Sequence, residues 1–180
     1  EGRPAPAPDQ RAKLGLVRSS QDARLFPPLT VAENIAVSLE QYLSSRSTIG
    51  AALHLPNVRK AERDVQRRVE RLIRLMNLDE LRDKFVRELS TGQRRIVDMA
   101  CVMAAEPRVL LLDEPSSGIA QKEAEELGPL LGRIRYETGC ALLVIEHDMP
   151  LIVAVSDELV APELGAVVTR GAAAAGLDPP

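Results

Sequence analysis

Two apolar runs of strand length, Val109–Leu112 and Ala141–Ile145, flank a stretch over 121–138 in which Leu127, Leu130, Leu131 and Ile134 recur at helical spacing. No other feature of the chain constrains its fold as much. A strand that alternates apolar and polar residues turns one face to water, whereas a strand apolar at every position is suited to burial on both. Two such strands joined by a helix form a crossover unit, so the pattern predicts an α/β fold around a parallel sheet covered on both faces. Gly139 is placed to end the helix, and Glu106-Pro107 to end the one before the first run.

The middle of the chain reads as helical. Thr30 and Glu33 form a capping box that opens a helix with Val31, Ile35 and Leu39 on one side, ending before Ser44-Ser45. Residues 44–57 read as a loop, and His54 within it has no metal-ligand neighbours. A long helix runs from about Val58 to Met76, with Val65, Val69, Leu72 and Met76 as its buried stripe. Arg59, Arg63, Arg67 and Arg71 lie four apart and form a solvated row, balanced by pairs such as Asp64–Arg68. Leu78–Phe85 makes a short helix and turn, and Ser90 or Thr91 caps a helix through about Ala105 with Met99 and Met103 in the core. Leu14–Val17 is a short strand candidate ahead of these. A helix from about Pro150 and two short strands near 159–161 and 166–169 follow the second apolar run.

Composition narrows the function. With 180 residues, 45% hydrophobic and 27% charged, the chain suits one globular domain. A net charge of -3 and 2% aromatic residues argue against a nucleic-acid partner. Cys101 and Cys140 make no disulfide framework and lack zinc-type spacing, so they read as buried, reduced thiols. No apolar run approaches the ~20 residues of a membrane span, and a soluble, cytosolic protein is the expectation. Glu1–Pro8 is Pro-rich, lacks an initiator Met and reads as an exposed loop, so the chain is expected to be a piece of a longer one.

The first apolar run ends in Asp113-Glu114, adjacent carboxylates that repel each other unless something positive faces them. No cation partner lies nearby in sequence. In a parallel sheet the carboxyl ends of strands border the crevice where ligands bind. The second run ends there too, in Glu146-His147-Asp148, with Asp148 read as a cap for the next helix. An acid pair and a histidine at one sheet edge suit a Mg-bound phosphate, one carboxylate holding metal and one accepting a proton from water. Leu89-Ser90-Thr91-Gly92-Gln93 supplies a second element. A capped helix start with a Gly offers free N–H groups to an anion. Any one of these pieces is ordinary; their order along the chain is not.

That order resembles the ATP-binding-cassette (ABC) transporter ATPases over about residues 10–170. Leu89–Gln93 resembles the family's LSGGQ signature, with Thr91 in place of the first Gly. Leu110–Glu114 is similar to its Walker B strand, His147 falls at its switch histidine, and Gln21 looks like its Q-loop glutamine. The phrases QDARLF, LTVAENI and IEHDMP look most like the branch that transports branched-chain amino acids. The resemblance implies a partial P-loop NTPase fold with a parallel sheet core and a helical subdomain. It divides the chain into a Q-loop segment over 1–29, a helical subdomain over 30–105, the C-terminal half of the ATPase core over 106–170, and a tail over 171–180.

The resemblance also implies roles and partners. Asp113 would hold Mg2+, partly through water, and Glu114 would polarise the attacking water. His147 would contact the γ-phosphate of ATP, and Gln21 would sense metal and water. Ser90, Thr91, Gly92 and Gln93 would form the binding element, with Ser90 and Gly92 contacting ATP held by an opposing subunit in a head-to-tail dimer. A transmembrane permease would hold the protein at the cytoplasmic face of the membrane, docked on the helical segment from about residue 30. Ala120 stands where the family's D-loop carries Asp, a departure that touches signalling between the two sites rather than the fold. A phosphate loop would read G-x-x-x-x-G-K-[ST]. None of Lys13, Lys60, Lys84 and Lys122 follows a Gly, and in the family that loop precedes the Q-loop. The chain by itself is therefore expected to turn over no ATP. A non-catalytic module that completes a partner's nucleotide site is the other reading.

Overall fold

The computed structural model describes residues 10, 14–19, 25–42 and 56–173. Three parallel strands, β1 (Leu16–Arg18), β2 (Val109–Asp113) and β3 (Ala141–Ile145), form a sheet in the order β1-β2-β3. The register pairs Leu16 with Val109 on one side of β2, and on the other Leu110 with Leu142 and Asp113 with Ile145. The α/β class and the parallel sheet match the expectation from sequence.

The sheet differs from expectation in its coverage. Leu110 and Leu112 are buried, and their register partners Leu142 and Val144 pack against the same core. The other face of β3 is open, with Leu143 58% and Ile145 60% exposed. Continuous apolarity therefore encodes two burial-competent faces, of which the described residues cover one fully; on the other, Val109 and Leu111 of β2 are half-buried and β3 is open.

The helices are α1 (Val31–Tyr42), α2 (Pro56–Leu75), α3 (Thr91–Met103), α4 (Gln121–Thr138) and α5 (Met149–Val155). The capping box at Thr30 is formed. Glu33 N–H donates to Thr30 Oγ1 at 3.3 Å, and Thr30 N–H to Glu33 Oε2 at 2.7 Å. The next free amides of α1, Val31 and Ala32, donate to the carbonyls of Lys84 and Arg82, so no orphan donor is left at that turn. Asn34 is buried and spends its side chain on the preceding turn. It accepts from Phe26 N–H at 2.8 Å and donates to the carbonyls of Phe26, Leu29 and Thr30.

One core joins the helical part to the sheet. Val31, Ile35 and Leu39 of α1 meet Val65, Val69, Leu72 and Met76 of the α2 segment, then Val97, Met99 and Met103 of α3, and the core continues to Leu110, Leu112, Leu131 and Ile134. The arginine row is solvated as read: Arg63, Arg67 and Arg71 are exposed, while the side chain of Arg59 lies outside the description. The pairing along it is corrected. Asp64 pairs with Arg67, and Arg68 reaches across to Glu106 at 2.7 Å, because the extended Arg68 finds the carboxylate past the end of α3 instead. Gly139 ends α4 in the left-handed conformation at φ 67°. The hairpin β4 (Glu158–Glu163) and β5 (Ala166–Ala172) turns through Leu164 and Gly165, both at positive φ, as a two-residue hairpin turn requires. His54 and the tail from residue 174 lie outside the described residues.

Candidate functional site: a sheet edge backed by the capped helix

Register alone brings Asp113 and Glu114 beside the end of β3. Asp113 pairs with Ile145, and Glu114 N–H donates to the Ile145 carbonyl at 2.8 Å. Glu146 and His147 come next on that strand. Glu114 sits at φ 45°, in the left-handed region that few non-glycine residues adopt. Its carbonyl accepts from Arg95 Nη2 at 3.0 Å, and the Pro115 carbonyl from Arg95 Nε at 3.4 Å. Arg95 is a buried charge of α3, so the helix that carries the signature residues is bonded to the turn that carries the carboxylates. Ser19, at the end of β1, donates to Asp98 of α3 at 3.4 Å and ties the same helix to the other strand.

The cation missing from the local sequence comes from β1. Arg18 Nη2 donates to Asp113 Oδ2 at 2.7 Å. Asp113 is thus paired within the chain, with a cation 95 residues away in sequence. The Arg18 side chain is 64% exposed and that of Asp113 21%, so the pair contributes at most about 1 kcal/mol and is readily exchanged. Among the described residues no group of three or more His, Cys, Asp or Glu side chains forms a metal cage. Mg2+ is held by one or two carboxylates with substrate phosphates rather than by such a cage. A single accessible carboxylate at Asp113 fits that requirement.

Glu146 is the anchor of this edge. Its side chain is fully shielded from solvent. It accepts from Ser116 N–H at 2.7 Å and His147 N–H at 3.0 Å. Burial works against its charge, but hydrogen bonds from the Ser116 hydroxyl and the Ser116, His147 and Asp148 amides outweigh it and hold the carboxyl below its ordinary 4.5. A group depressed in the folded state stabilises fully above its unfolded value and loses that contribution as pH falls through the folded one. The stability gap between the wild type and Glu146→Gln is therefore expected to be constant above about pH 5 and to shrink below 4.5. Urea unfolding of both proteins across that range checks it, and a gap independent of pH would count against the anchor. His147 itself points outward, 76% exposed, with Nδ1 3.7 Å from Glu146 Oε2. Asp148 caps α5 as read, accepting from Leu151 N–H at 3.1 Å.

At the start of α3 the cap is Ser90. Its Oγ accepts from Gln93 N–H at 3.1 Å, while Gln93 Oε1 accepts from Ser90 N–H at 3.0 Å, a closed capping box. Thr91 is exposed and Gly92 buried. Ser90 Oγ also donates to Glu123 Oε1 of α4 at 2.6 Å. Gln21 lies outside the described residues. Sequence reading missed Arg18, Arg95 and Glu123 at this site. Arg95 had a signal, because it falls on the buried stripe of α3 with Gly92 and Met99, where an unpaired charge would not be tolerated. Arg18 and Glu123 had none. The cysteines are free, Cys140 buried and Cys101 half-buried, so the reading of two buried thiols holds fully only for Cys140. Burial pushes the Cys101 thiol up to about 11 against a hydrogen bond from Ser38.

A parallel sheet whose adjacent strand ends carry Asp-Glu and Glu-His, backed by a capped glycine-bearing helix, belongs to the class of α/β folds that bind ligands beyond the carboxyl ends of their strands. The model of the ABC transporter family matches residues 3–117. The chain belongs to the ABC transporter ATP-binding family. It is 34% identical over 160 residues to the high-affinity branched-chain amino acid transport ATP-binding protein BraF of Pseudomonas aeruginosa, covering 89% of this chain and 62% of BraF. It is 32% identical over 171 residues to LivG of Escherichia coli, a protein of the same description, covering 95% of this chain and 66% of LivG. The chain thus spans less than two thirds of these curated relatives. Among solved structures, cbiO1 from Clostridium perfringens, part of the ABC transporter complex cbiONQ, superposes with TM-score 0.72 at 26% identity, covering 93% of this chain and 61% of that one. MJ1267, an ATP-binding cassette of an ABC transporter, superposes with TM-score 0.70 at 21% identity over 92% of this chain and 63% of its own, and shares the fold.

Proposed function

We propose that this chain is the greater part of an ATP-binding, ATP-hydrolysing subunit that works as a head-to-tail dimer. The dimer docks on a transmembrane permease at the cytoplasmic face and drives transport of branched-chain amino acids or related small molecules. The observation that carries the reading is the joining of Asp113-Glu114 and Glu146-His147 at one sheet edge, with Arg95 tying that edge to the signature helix. The substrate class rests on the likeness to BraF and LivG.

In this reading Asp113 would hold Mg2+, and Glu114 accepts a proton from the attacking water. Bound Mg2+ would supply charge neutralisation at the β- and γ-phosphates. His147, exposed and backed by Glu146, reaches the γ-phosphate, and Gln21 senses metal and water. Ser90, Thr91, Gly92 and Gln93 present the α3 start to ATP held by the opposing subunit. The lysine of a phosphate loop is not among these residues. The 180-residue chain alone is therefore expected to give no steady-state ATP turnover and to bind Mg-ATP more weakly than about 1 mM. A phosphate-release assay with calorimetry tests this, and turnover that Glu114→Gln abolishes would overturn it. A second reading, a non-catalytic module that completes a partner's site, draws on the absent Gly-Lys pair. Leucine uptake by vesicles holding the whole protein with its permease, measured with and without ATP, separates the two.

A further inference from the structure

The tip of α3 is already occupied by an anion from the same chain. Ser90 Oγ accepts from Gln93 N–H and donates to Glu123 Oε1, so its single O–H donor is spent. The carboxylate also lies against the backbone. A Cβ built on Gly92 would stand 2.4 Å from Glu123 Oε2 and 2.5 Å from its Cδ. The glycine thus makes room for the carboxylate, and the helix N-terminus favours the negative charge there. Glu123 belongs to the first turn of α4, just past Ala120, which gives that helix no side-chain cap.

We propose that Glu123 is a resident plug of the signature tip, an autoinhibitory contact that an incoming phosphate must displace. The proposal rests on the reading of that tip as the element facing a phosphate. A phosphate would need the same Ser90 hydroxyl and the same approach over Gly92. Two anions cannot share them, because each would face the other's charge where only one helix end offsets it. Displacement requires only a rotation about the side-chain bonds of Glu123, with no movement of α3 or α4. The plug lowers the apparent affinity of the tip by the fraction of molecules in which it is open. It therefore holds the tip shut until a phosphate presented by a bound nucleotide outcompetes one carboxylate. In a dimer this would make closure depend on the bound nucleotide rather than on collision of the two subunits.

The experiment is a titration of inorganic phosphate into the 180-residue chain, followed by the 15N amide shifts of Gly92 and Gln93. Wild type, Glu123→Ala and Glu123→Gln are compared. Glu123→Ala is expected to bind phosphate about tenfold more tightly, the factor carried by one charge-assisted hydrogen bond. Glu123→Gln, which keeps the shape and loses the charge, is expected to fall between the two. Equal dissociation constants in all three proteins would overturn the plug and leave the tip as an anion site. No shift at Gly92 in any of them would overturn the reading of the tip and the plug with it. Unfolding midpoints of the variants show whether a change in binding comes from a change in fold.

Discussion

In a protein that joins this chain to a phosphate loop, Glu114→Gln is expected to lower ATP turnover by about a hundredfold or more, the lower end of what a positioned proton acceptor supplies. Mg-ATP affinity is expected to stay nearly unchanged. The structure gives the reason the two effects separate. The backbone at Glu114 is held in a left-handed conformation, with its N–H on the Ile145 carbonyl and its carbonyl on Arg95. Gln has the same shape as Glu and inherits that placement, so under the proposed role the substitution removes the proton acceptor and little else. Measured kcat and Kd for the two proteins decide it. A fall in kcat of less than about threefold would mean that Glu114 is not the group that takes the proton.

The second large effect is on stability. Leu110→Ala is expected to cost about 2–5 kcal/mol, a substantial share of the roughly 5–15 kcal/mol that holds a domain folded. Leu110 is 0% exposed in the central strand, and its loss would leave a cavity between the sheet and the core. Leu143→Ala is the control. It stands one strand away on the opposite face, 58% exposed, and is expected to cost less than about 1 kcal/mol. Urea denaturation of both variants reads the difference. Equal costs would mean that the open face of β3 is covered in solution, as self-association of the chain would cover it.

Much of this fold was legible from residues close together in sequence. The box at Thr30 and Glu33, the stop at Gly139, the cap at Asp148 and the buried stripe of α2 each depend on contacts within about one helical turn. The two apolar strands and the helix between them were equally plain, since periodicity is a local property. Coverage of the sheet was not. The residues of β3 are apolar on both faces, and nothing in a strand says which face has a neighbour. The same holds for pairing along the arginine row. Asp64 had two arginines within reach, and the distant Glu106 took Arg68 away from it.

At the candidate site the split falls in the same place. The chain's own order of residues set which chemical groups exist: carboxylates at a strand tip, a histidine after the next strand, and a capped helix bearing Gly92. Folding decided which of them are engaged. Arg18 meets Asp113 across 95 residues, Arg95 meets the Glu114 carbonyl across 19, and Glu123 meets Ser90 across 33. Each of these contacts depends on strand register or on how one helix lies against another. Local propensity has no means of specifying either, because both are set by the packing of the whole core.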